Sequence, residues 1–172
     1  MLSCTSSFEK AVEKTIAESG FAGAKRIILN EDASTRAYER LELNGKTAIL
    51  MKAPVGAENP PCPIDANEQE REELGWNALS RLASSRVEAF VAIGDFLREH
   101  GFTTPQIFAC DIDEGVAVIE DLGDNLFAEV LKAQPDTSKE ILLYEKAGKL
   151  LARLHEIEVP KTIPAPNGVW PL

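Results

Sequence analysis

An α+β fold is predicted for this chain, an antiparallel sheet with helices around it. Three observations carry the prediction. Short apolar runs of strand length cluster between residues 26 and 52, where an Asn-Gly pair punctuates them. A second strand pair falls near residues 106–121. Helical periodicity precedes, separates and follows these strands. The 172 residues suit one domain, or a small lobe with an extension, and a chain of this size can bury roughly 70% of its unfolded surface.

The elements follow in order. Residues Ser6 to Ser19 carry Phe8, Val12 and Ile16 at four-residue steps, the stripe of an amphipathic helix; Ser6 or Ser7 can cap it and Gly20 ends it. RIILN reads as a strand, and the polar stretch EDASTR separates it from AYERLEL, a second strand. Asn44-Gly45 favours the positive-φ geometry of a tight hairpin, which makes KTAILMK the third, antiparallel strand. Residues 54–85 are rich in Pro, Asn and Glu and read as a long exposed insertion. Its charge run EQEREE reads as a solvated face, with a short helix as the other reading.

Regular structure resumes at Arg86. Val87, Phe90, Val91, Gly94 and Leu97 mark a helix to His100, with Gly101 as its stop. QIFACDI and GVAVIED then read as strands joined by a tight turn. NLFAEVLKA reads as a short helix, and Ser138 to about Ile157 as a longer one with Leu142, Leu143, Leu150, Leu151 and Leu154 on its apolar side. Pro160, Pro164, Pro166 and Pro171 forbid a helix in the tail.

Composition excludes several function classes. The formal net charge is −10, from 18 Lys+Arg against 28 Asp+Glu, which argues against a nucleic-acid binder. No apolar run approaches the roughly 20 residues of a membrane span, and the N-terminal stretch lacks the apolar core of a secretory signal. Cys4, Cys62 and Cys110 are odd in number and widely spaced, which fits neither a disulfide framework nor a zinc site. A reduced, cytoplasmic compartment is expected.

The stretches DASTRAYERL, AILMKAP, FVAIGDFLREHGFTTPQIFACD, VIEDLGDNLF and LLARLHEI, in that order, resemble the aminoglycoside phosphotransferase and choline kinase-like superfamily. Within it they are most similar to bacterial kinases that phosphorylate N-acetylmuramate or N-acetylglucosamine at the anomeric hydroxyl. The resemblance runs from about Phe8 to Leu172. It implies a protein-kinase-like small lobe over residues 1–121, interrupted by the 54–85 insertion, and then a hinge, the first large-lobe helices and a Pro-rich end over 122–172. ATP is the implied cofactor, with magnesium held by the large lobe, and a small sugar is the implied acceptor.

The resemblance places Ser34, Thr35 and Arg36 in a turn over the nucleotide phosphates. Hydroxyls, backbone amides and a guanidinium suit phosphate oxygens; the ordinary reading of the same residues is a polar turn. Lys52 ends the third strand, where a kinase-like lobe holds a cation against the α- and β-phosphates. Strand alternation sends Met51 and Lys52 to opposite faces, and the letters alone leave open which one meets the phosphates. Glu88 stands near the start of the following helix, about a turn earlier than the family's lysine-pairing glutamate; it also suits a helix N-terminus. Glu120, Asp121 and Leu122 fall in the hinge, where backbone groups bind the adenine edge. Glu120 and Asp121, being adjacent in a strand, point to opposite faces and do not share a site. His155 reads as a packing residue.

No catalytic residue and no metal ligand is assigned. Neither His100 nor His155 begins a His-x-Asp loop, so the expectation is an N-terminal part of a kinase, inactive alone. The competing reading is a non-catalytic interaction module that self-associates through the Leu142 to Leu154 face.

Overall fold

A computed structural model of the chain describes residues 6–29, 36–53, 63, 65–73, 86–133 and 135–171. Ser6 opens helix α1 (Ser7–Glu18) by accepting a hydrogen bond from the Glu9 amide at 3.2 Å. Ala11, Val12, Thr15 and Ile16 form its buried stripe, and Thr15, inside the apolar face, donates its hydroxyl to the Ala11 carbonyl at 2.8 Å. Gly20, at φ +84°, lets the chain turn out of the helix.

Three strands follow: β1 (Lys25–Ile28), β2 (Ala37–Leu43) and β3 (Lys46–Lys52). Asn44 and Gly45 join β2 to β3 with φ of +50° and +76°, the two positive values that a type I′ turn requires. Helix α2 (Glu68–Glu73) lies within the predicted insertion and buries none of its residues. Asn67 accepts from the Glu70 amide at 3.0 Å while its own amide donates to the Glu70 carboxylate at 2.9 Å. This reciprocal cap is why EQEREE is helical there as well as solvated.

Helix α3 (Val87–Glu99) precedes β4 (Ile107–Asp111) and β5 (Val116–Glu120). The five strands form one antiparallel sheet in the order β1-β2-β3-β5-β4. This is the α+β architecture of a kinase-like small lobe. The sheet is covered on both faces. Leu41, Ala48, Leu50, Val116 and Val118 pack against Val12 and Ile16 of α1. Met51, Ala53, Ala117 and Ile119 pack with Val87 of α3, joined by Tyr38, Ile49, Phe90 and Val91. Two-sided burial explains why β3 and β5 read as near-continuous apolar runs.

The described residues up to Asp121 and from Lys161 onward form one compact unit, and Leu122–Pro160 a second. The tail departs from the sequence reading, which grouped it with the large-lobe helices. Instead β6 (Thr162–Ala165) and β7 (Gly168–Pro171) form an antiparallel hairpin in the first unit. Ile163 and Trp170 pack on Ala89 and Ala92 of α3, the side turned away from the sheet. Prolines exclude a helix there but not a two-stranded ribbon with free edges. The second unit holds α4 (Phe127–Ala133) and α5 (Thr137–His155). Asp136 caps α5 by accepting from the Ser138 and Lys139 amides at 2.9 and 3.2 Å, and Phe127 meets Tyr144 edge to face at 6.3 Å. Ile141, Leu142, Leu150, Leu151 and Leu154 are exposed. No helix among the described residues is long and apolar enough to cross a membrane.

Candidate functional site

The sheet face turned to α3 collects the residues of interest. Cross-strand register sets Tyr38 beside Met51 and Met51 beside Ala117. One step along, it sets Arg40 beside Ile49 and Ile49 beside Ile119. Directly opposed residues share a face, so Tyr38, Arg40, Ile49, Met51, Ala117 and Ile119 form two adjoining rows. Arg36 belongs to the same side, with its guanidinium 5.8 Å from the centre of the Phe90 ring on α3.

The opposite face holds Lys52. Its Nζ lies 2.5 Å from Oε1 of Glu39, whose Oε2 is 2.6 Å from Nε of Arg26. Arg26 also reaches Glu13 of α1 at 2.9 Å. Glu39 is buried, and its carboxyl is held down to about 2, first by hydrogen bonding to Arg26 and then to Lys52. The same contact pushes the Arg26 guanidinium further up. Thus Met51 faces α3 and Lys52 faces the α1 side.

Lys52 and Glu88 each take another partner, in keeping with the early position of Glu88 on its helix. Glu88 is buried and bound by its neighbour Arg86, with Nε 2.7 Å from Oε1 and a further contact through Nη2. Arg86 also lies 5.9 Å from the centre of the Trp170 ring, so this charge pair is built between α3 and the β6–β7 hairpin. Lys52 is withheld by register, because its face of β3 looks the other way.

Where β5 ends, adjacent residues part company. The Glu120 amide donates to the Gln106 carbonyl at 2.8 Å, and the Glu120 carboxylate accepts from the Gln106 amide at 3.1 Å. Asp121 turns to the α3 face, where its Oδ2 is 2.8 Å from Nε of Arg40 and its Oδ1 3.4 Å from Nη2. Leu122 is exposed and belongs to the second unit. Ser34 and Thr35 lie outside the described residues. Sequence reasoning missed Arg40 and Arg86. The signal for Arg40 was available: Arg36, Tyr38 and Arg40 stand at steps of two, the period that lines one face of a strand.

Residues 26–170 match the family described as the phosphotransferase enzyme family. The chain belongs to that family. The chain is also 41% identical, over 171 residues and 99% of its length, to the N-acetylmuramate/N-acetylglucosamine kinase of Caulobacter vibrioides. It spans 46% of that relative's length. The family membership expected from the five sequence stretches is therefore established. Among the described residues, no group of three or more His, Cys, Asp or Glu side chains could hold a metal ion.

Proposed function

We propose that this chain supplies the nucleotide-binding side of an ATP-dependent amino-sugar kinase of the cytoplasm. Membership of the phosphotransferase family and 41% identity to a kinase named for N-acetylmuramate and N-acetylglucosamine support the reading. The observation that carries it is the sheet face toward α3: apolar at Ile49 and Ile119, cationic at Arg36, and bordered by the chain's exit at Asp121.

In this reading the base lies against Ile49 and Ile119, its edge meeting backbone groups just after Glu120. The triphosphate runs toward Arg36, with Ser34 and Thr35 preceding it. Met51 brings no charge to this face, so the cation that meets the phosphates is Arg36, immediately before β2, rather than a residue of β3. The reaction transfers the γ-phosphoryl group to an acceptor hydroxyl, that of an amino sugar at its anomeric carbon, and releases ADP. Phosphoryl transfer depends on charge stabilisation and positioning, and Arg36 provides the first of these. Magnesium accompanying the triphosphate would be held by carboxylates of the large lobe and would offset phosphate charge.

Binding and turnover test the reading separately. The 172-residue chain should bind ATP in calorimetry and show no transfer by itself. The intact protein should consume ATP when N-acetylmuramate or N-acetylglucosamine is added. Arg36→Ala should weaken ATP binding about tenfold, the scale of one charge-assisted contact. A chain that ignores ATP, or an intact protein that leaves both sugars untouched, would refute it.

A further inference from the structure

The Arg40–Asp121 pair spans a strand. β3 lies between β2 and β5 in the sheet, so Arg40 reaches over Ile49 to find its carboxylate. The last residue pair between β3 and β5 is Ala48 with Glu120. Beyond it the sheet no longer fixes the backbone through β3, and Asp121 is the first residue past that limit. Its side chain is nevertheless almost fully buried, at 6% exposure, and Arg40 retains 20%. A carboxylate so buried is stable when a partner satisfies it. Arg40 does so as an ion pair, with Nε 2.8 Å from Oδ2 and Nη2 donating to Oδ1 at 3.4 Å, and its permanent positive charge stands beside the carboxylate.

Glu120 is held from the other side by Gln106. The strand exit is therefore anchored by two consecutive residues pulling toward opposite edges of the sheet.

We infer that Arg40, acting through Asp121, is a positioning residue for nucleotide binding: it sets the backbone groups after Glu120 that meet the base. The inference rests on the nucleotide reading above. Arg36, immediately before β2, and Arg40, within it, stand four residues apart, about 13 Å at strand rise. Strand β2 and the residue before it thus place one arginine toward each end of the ligand. The Arg40 end governs the base and the Arg36 end the phosphates.

The test compares two ligands on the intact protein by calorimetry: ATP, and inorganic tripolyphosphate, which keeps the phosphates and lacks the base. Arg40→Met and Asp121→Asn should each weaken ATP about tenfold while leaving tripolyphosphate unchanged. The double variant should be no weaker than either single one. In turnover, KM for ATP should rise while kcat holds. A folded variant that binds ATP like its parent overturns the inference, and so does an equal loss for both ligands. If circular dichroism shows Arg40→Met unfolded, the nearly isosteric Asp121→Asn decides on the same readings. Failure of the unsubstituted protein to bind ATP overturns the nucleotide reading and this inference together; ATP binding indifferent to both substitutions overturns the inference only.

Discussion

Glu39 shows how a single side chain can fix two elements. Its carboxylate accepts from Arg26 of β1 and Lys52 of β3, and Arg26 continues to Glu13 of α1. Because its folded pKa lies near 2, below an ordinary value of 4.5, its stabilisation is complete above pH 4.5 and is lost as pH falls through 2. Glu39→Gln should cost about 2 kcal/mol at neutral pH, a gap that closes on acidification; urea unfolding across that range measures it. A gap that widens in acid would refute the assignment. Lys52→Met should cost about 1 kcal/mol and leave ATP affinity unchanged, since Lys52 faces α1; a large loss of ATP binding would place it at the nucleotide instead. Why the face of Lys52 was not legible in the sequence is a matter of packing. Ala48, Leu50 and Met51 are all buried, on two different faces. With helices on both sides, the apolar pattern loses the alternation that would have assigned each residue.

Helix α3 is the element on which the first unit turns. Val87, Phe90 and Val91 meet the sheet, while Ala89, Ala92, Ile93 and Phe96 meet the hairpin. Trp170→Ala should cost about 3 kcal/mol through lost packing. It should also speed amide hydrogen exchange in α3 more than in β2 and β3; uniform acceleration would mean that the hairpin supports the whole unit instead of this helix. Elements marked by local chemistry were legible. Ser6 and Gly20 bound α1, Asn44-Gly45 turned the first hairpin, and Gly101, at φ +79°, followed α3. The β6–β7 hairpin was not, because its prolines read only as breakers. Pro164 sits opposite Val169 in a ribbon of two strands, where a missing amide can face outward. Its support is tertiary, from Ile163 and Trp170 against α3, and no local pattern announces that contact. Arg86 adds to it by lying over Trp170 while binding Glu88.

Across the whole molecule, the path of the chain explains how family membership and local geometry coexist. Residues 26–170 carry the phosphotransferase family match, and this range spans all but the outermost residues of the sheet and the returning hairpin. The chain leaves the first unit after Asp121 and rejoins it at Lys161. The return is secured by burial, with Ile163 at 1% and Trp170 at 8% exposure. One backbone scission after Lys132, in the second unit, should therefore leave the hairpin seated on α3. The nicked halves should migrate together on a native gel and separate in denaturant; Trp170→Ala should let them drift apart without it. Peptide-bond continuity through that excursion is redundant for cohesion, so the protein tolerates being cleaved there in a way that a simple two-bead string would not.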